Sequence, residues 1–179
     1  MDRDTLEKNF FGLLTAIETC FKGKRILPGL ILLYAHIDIV ASLNRPPSKN
    51  EGTRQSFKDW VNLYLLPDSD LSCSADDLYA ARCGLVHSYM AEARLTRSGD
   101  AKQIFYAWGT SEGAKLQERV KKTGLDSKAV VVHVDELFKA FFTGLDRFIE
   151  ALSHDPQKEQ LVYERARKFF AHIPIEAIG

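Results

Sequence analysis

The sequence predicts a mostly α-helical protein, an antiparallel helical bundle interrupted by a small two-stranded β insertion. Three observations carry that prediction. Apolar residues recur at helical spacing through residues 4–94 and again from Val134 to about residue 171, most clearly at Leu137, Phe138, Phe141, Phe142, Leu145, Phe148, Ile149 and Leu152. Between these regions, in residues 95–133, two short segments rich in β-branched and aromatic residues break the rhythm. Apolar residues make up 45% of 179 positions with no internal repeat or low-complexity tract, so one domain over 1–179 can bury a substantial core.

Taken in order, residues 4–21 form a first helix, with Leu6, Phe10, Leu13, Leu14, Ile17 and Phe21 along one face. Lys22, Lys24 and Arg25 close it, cations at the negative end of the helix dipole. The second helix, PGLILLYAHIDIVASL, begins at Pro28, whose fixed φ suits a first turn. It is apolar nearly all round and therefore the most buried element; besides Tyr34, only His36 and Asp38 are ionisable. Asn44-Arg45-Pro46-Pro47 breaks the helix and opens a polar loop to Gly52. Thr53 caps a third helix with Phe57, Trp60, Val61 and Tyr64 on one face, ending before Pro67. Ser74 caps a fourth, running to Arg94, with Asp76 and Asp77 in its first turn. In the insertion, Gln103–Trp108 and Ala129–His133 read as strands around a short polar helix over 111–122, and the strands can pair at the edge of the bundle. A long core helix follows from Val134, and Asp155-Pro156 opens the last one.

Composition narrows the function classes. Lys plus Arg and Asp plus Glu number 24 each, so bulk charge gives no drive toward non-specific nucleic-acid or membrane binding. Cys20, Cys73 and Cys83 are unpatterned, the expectation for free thiols in a reducing compartment. The polar start MDRDTLEKN does not read as a signal peptide, and apolar runs such as Ile31 to Ala35 are far below the roughly 20 residues of a membrane span. The expected location is cytoplasmic. No P-loop, dinucleotide fingerprint or nucleophile elbow is present, which removes the common phosphate-binding and hydrolase classes.

The fourth helix carries the pattern with chemical content, in SADDLYAARCGLVHSYMAEAR. At about 100° per residue, Leu78, Tyr79, Leu85, Val86 and Tyr89 lie within about 60° of Arg82, which places that arginine in the middle of an apolar face. A charge so placed requires an anionic partner. Asp38, alone on the apolar second helix, has the same need, and the two are predicted to meet. His87 lies about 140° from Arg82, beside a stripe of Ala80, Gly84 and Ala91 that another helix can approach closely. Histidine exchanges protons near neutral pH and arginine grips phosphate bidentately, so the two together suit metal-free cleavage of RNA.

A helical bundle bearing Arg-x4-His resembles the HEPN superfamily, whose ribonuclease members carry Arg-x4–6-His; the segment YAARCGLVHSY matches through Arg82 and His87. The resemblance implies a homodimer in which both Arg–His pairs converge at the interface, with no cofactor or metal. It implies RNA cleavage by the ribose 2′-hydroxyl, leaving a cyclic phosphate, in a toxin or defence setting that would add an antitoxin or other protein partner. Arg82 and His87 are then the catalytic candidates, with Asp38, Tyr79, Cys83 and Ser88 in support. The position after the arginine is usually polar in active members and is Cys83 here. That departure keeps a second reading open, a non-catalytic HEPN module for protein–protein or nucleotide binding.

Four further features have plainer readings. Cys83 and His87 share a helix face, but a zinc site needs a third and usually a fourth ligand. His36 reads as a satisfied core histidine. The cations Arg119, Lys121 and Lys122 read as a solvated surface, and Tyr79 and Tyr89 as core, unless they stack on a base.

Overall fold

The computed structural model describes residues 2–85, 94–110 and 113–169. The chain runs α1 (Arg3–Lys22), α2 (Ile26–Asn44), α3 (Arg54–Trp60, continuing through a π-helical turn, Val61–Leu65), α4 (Ala75–Cys83), α5 (Arg94–Ser98), β1 (Gln103–Ala107), α6 (Gly113–Lys122), β2 (Ala129–His133), α7 (Val134–Ser153) and α8 (Pro156–Phe169). It is mostly helical, with one small sheet among the described residues.

Helix α2 sits at the centre because its sequence leaves it no other place. Leu30, Leu33, Tyr34, Ile37, Val40, Ala41 and Leu43 are all buried, and the helix packs against α1, α3, α4, α7 and α8. By length and apolarity alone α2 could cross a membrane, with a mean hydropathy of 1.9, yet half of that stretch is buried inside the protein. The helix begins at Ile26, two residues before Pro28. Proline is tolerated there because the first four N–H groups of a helix have no intrahelical acceptor. Its carboxyl end is closed by a side chain from far along the sequence: Arg165 of α8 donates to the carbonyls of Leu43, Arg45 and Pro46 at 2.9, 2.5 and 3.1 Å.

Helix starts follow local chemistry. Thr53 and Ser56 form a capping box on α3, Ser74 and Asp77 another on α4, and the Asp155 carboxylate accepts from Lys158 N at 3.0 Å at the start of α8. Helix α7 crosses the π-helical turn closely. A methyl group added at Gly144 would lie 2.8 Å from the Tyr64 carbonyl oxygen, so only glycine fits that crossing. Arg147, one turn further on, donates to Pro67 O and the Asp68 carboxylate at 2.6 and 2.8 Å, pinning the loop that follows the turn.

The expected insertion is a β–α–β unit. Strands β1 and β2 pair in parallel, Gln103 opposite Ala129 through Ala107 opposite His133, with α6 between them in sequence. Hydrogen bonds help fasten it to the bundle. The hydroxyls of Tyr34 in α2 and Tyr106 in β1 meet at 2.7 Å, and Asp77 of α4 accepts from Lys102 N at 2.5 Å. Asp77 is thus buried, at once a cap residue and a tie, and not only the dipole-facing charge expected from its first-turn position.

Candidate functional site

Arg82 Nε donates to Asp38 Oδ2 at 2.5 Å, joining α4 to α2 as the opposed charges require. Their side chains remain 20% and 28% exposed, so the pair stands at the edge of the core and not within it. Leu78 of α4 and Leu85 just past its end bracket Arg82 in sequence and are buried, while Arg82 and Tyr79 are half-buried. The apolar face expected of this helix therefore opens at Arg82. Burial works to lower the arginine's pKa, but the hydrogen bond and charge of Asp38 prevail and raise it, so the guanidinium stays charged.

What it opens onto is a cavity of about 420 Å³ between α2, α3 and α4. Asp38 and Ser42 of α2, Thr53 and Arg54 at the start of α3, and Tyr79 and Arg82 of α4 line it, with Phe169 at the end of α8 closing one side. Tyr79 organises this wall. Its ring meets Phe57 edge-on at 5.4 Å, and the guanidinium carbons of Arg54 and Arg82 lie 5.6 and 6.0 Å from the ring centre. Two cations thus lie near one aromatic ring at a cavity of mixed polar and apolar lining. Arg54 is anchored in turn by Asp76 at 2.7 Å, which Lys58 also contacts at 2.8 Å. Lys58, and after it Arg54, hold the Asp76 carboxyl below its usual range against the opposing effect of burial.

Asp38, Tyr79 and Arg82 therefore come together. Cys83 is half-buried and does not line the cavity, but it neighbours both the Tyr79 hydroxyl and the Arg82 guanidinium as a hydrogen-bonding group. His87 and Ser88 lie outside the described residues, as do Val86, Tyr89 and Ala91. Ala80 and Gly84, the described part of the small-residue stripe, are buried within the chain. The basic residues of α1 and α6 do not line the cavity.

Arg54 is the residue that sequence reading missed. A signal existed: it occupies the first position of α3, where a cation opposes the positive end of the helix dipole. Asp76, across on α4, compensates for that placement.

His133 and His36 lie away from this cavity. His133 caps α7 by accepting from Asp135 N at 3.3 Å, and its other ring nitrogen lies 3.2 Å from Gly109 O. His36 is buried between Phe10 and Phe141, ring centres 5.4 and 4.9 Å away, but it is not satisfied: neither ring nitrogen has a hydrogen-bond partner among the described residues. Burial lowers its pKa to about 4, so the ring is neutral at physiological pH. Cys73 is also buried, its thiol pushed up to about 12 and so unreactive. Among the described residues no group of three His, Cys, Asp or Glu side chains gathers in metal-binding geometry.

Comparison with protein-family models, curated proteins and solved structures returns no match for this chain.

Proposed function

We propose that this chain is a HEPN-like, metal-independent endoribonuclease of the toxin or defence type, acting on RNA as a homodimer. The observation that carries the reading is Arg82 held by Asp38 at the wall of an open cavity of about 420 Å³, beside an aromatic ring. An arginine serving only to join two helices would be walled in. Here the carboxylate fixes the guanidinium while the cavity gives an anion a route to that wall.

In the proposed mechanism the scissile phosphate lies against Arg82, whose positive charge stabilises the dianionic phosphorane. The ribose 2′-oxygen bonds to phosphorus as His87 accepts its proton. The bond from phosphorus to the 5′-oxygen then breaks, and the imidazolium of the second subunit protonates that oxygen, leaving a 2′,3′-cyclic phosphate and a 5′-hydroxyl. Asp38 acts as a positioning residue through Arg82. Tyr79 offers its face to a neighbouring base.

A second reading is a non-catalytic HEPN module that binds a nucleotide or a protein partner. Cys83 beside the arginine favours it, and the cavity volume falls in the range of small-ligand pockets. Incubating RNA in EDTA with wild type and with His87→Ala separates the two. The nuclease reading expects cutting by the wild type and none by a folded variant. Binding without cutting by either protein selects the module.

A further inference from the structure

The Arg82 cavity has a cationic neighbour. A groove of about 410 Å³ is lined by Arg45, Lys49 and Asn50 of the loop after α2 and by Glu164, Arg165 and Lys168 of α8. The two cavities share their dividing wall at three places. Arg45 Nη1, on the groove side, donates to Ser42 Oγ, on the cavity side, at 3.0 Å. Lys168 lines the groove and the next residue, Phe169, lines the cavity. Asn50 lines the groove, while Gly52 and Thr53 of the same loop line the cavity.

The groove gathers four cations on a chain of zero net charge. Several cations elsewhere sit on carboxylates: Arg3 on Glu7, Lys22 on Glu18, Arg54 and Lys58 on Asp76, Arg147 on Asp68. Here four cations face one carboxylate, Glu164, which itself accepts from Gln160 at 3.2 Å. Both arginines donate to backbone carbonyls instead, Arg45 to Lys49 O and Asn50 O at 3.0 and 2.9 Å, and Arg165 to the end of α2. They shape the loop and leave their positive charge uncompensated. Lys49 and Lys168 are exposed and make no ion pair among the described residues.

We propose that Arg45, Lys49, Arg165 and Lys168 form a backbone track along which single-stranded RNA continues from the Arg82 cavity. Lys49 and Lys168 contact phosphates, the two arginines hold the groove's shape and field, and Phe169, half exposed at the junction, provides a stacking face between them. Cations following an aromatic surface are what a sequence-tolerant single strand requires. An acidic peptide would use the charge but not the Tyr79 and Phe169 faces. This track rests on the ribonuclease reading, and the test keeps the two apart.

The experiment measures binding of 2′-O-methyl RNA, which lacks the nucleophile and stays intact on the wild-type protein. A 12-nucleotide strand and a dinucleotide are compared on wild type and on Lys49→Ala/Lys168→Ala, across a salt series. Both lysines are exposed, so the double variant keeps its fold, checked by circular dichroism. The track expects the long strand to bind about tenfold more weakly and its log–log salt slope to fall by about 1.4, with dinucleotide binding unchanged. Wild-type binding with no change of slope in the variant overturns the track and leaves the nuclease reading standing. Equal loss for a polyglutamate peptide overturns the choice of RNA. Failure of the wild type to bind any RNA removes both.

Discussion

Arg82 of α4 and Asp38 of α2 lie 44 positions apart and meet through Nε and Oδ2 at 2.5 Å. Each is the other's answer to desolvation, and together they fix where α4 presents its guanidinium. Removing either one takes an opposite charge from the other at the edge of the core. Arg82→Gln and Asp38→Asn are each expected to cost about 1–3 kcal/mol in urea denaturation. The double variant should lose less than the sum, with a coupling of about 1 kcal/mol or more. Additive losses would show that the contact contributes nothing to stability.

The unsatisfied imidazole of His36 sets an acid limit. Its folded pKa of about 4 lies below the unfolded value near 6.5, so the unfolded chain binds the extra proton between those pH values. Stability is therefore full above pH 6.5 and declines as pH falls toward 4, by roughly 3 kcal/mol from this group. His36→Leu removes both the orphaned nitrogens and the titration. Its unfolding free energy should vary less between pH 7 and 4.5 than that of the wild type, as read by denaturant titration at each pH.

Two glycines of long helices should respond oppositely to alanine. Gly144→Ala drives a methyl group into the Tyr64 carbonyl and is expected to destabilise by about 1–3 kcal/mol. Gly12→Ala meets nothing within 4 Å and should stabilise by about 0.5–1 kcal/mol through helix propensity. Thermal melts of the two variants suffice, and a shift in the same direction would contradict the close crossing of α7.

Asp77 links the bundle to the insertion. Asp77→Ala removes a capping-box partner and strands the Lys102 amide, at a cost of about 1–3 kcal/mol. The loss should concentrate in the β–α–β unit, so limited proteolysis should cut residues 95–133 before the bundle. Uniform cleavage along the chain would argue against that tie.

What the sequence made legible was local or forced. Thr53, Ser74 and Asp155 announce helix starts because a cap hydrogen-bonds within its own turn. Both strands lie where aromatic or β-branched residues cluster, Phe105 and Tyr106 in β1 and Val130 to Val132 in β2. The Asp38–Arg82 contact was legible at long range because α2 offers one carboxylate and the apolar face of α4 one cation. Arg165 capping α2 from 122 residues away was not, since backbone carbonyls give no residue-type signal for their partner. Nor was the pairing of Arg54 with Arg82 around Tyr79, which depends on how α3 lies against α4. The opening of α4's apolar face at Arg82 was hidden for the same reason: helical periodicity gives direction but not what stands opposite.

The most direct test of the central claim is the chemistry of the ends that the purified protein leaves on RNA in EDTA. The account predicts 2′,3′-cyclic phosphates paired with 5′-hydroxyls, formed on RNA, absent on its 2′-O-methyl counterpart, and lost with Arg82→Gln. Cutting of the 2′-O-methyl strand, or unchanged cutting by Arg82→Gln, would contradict it.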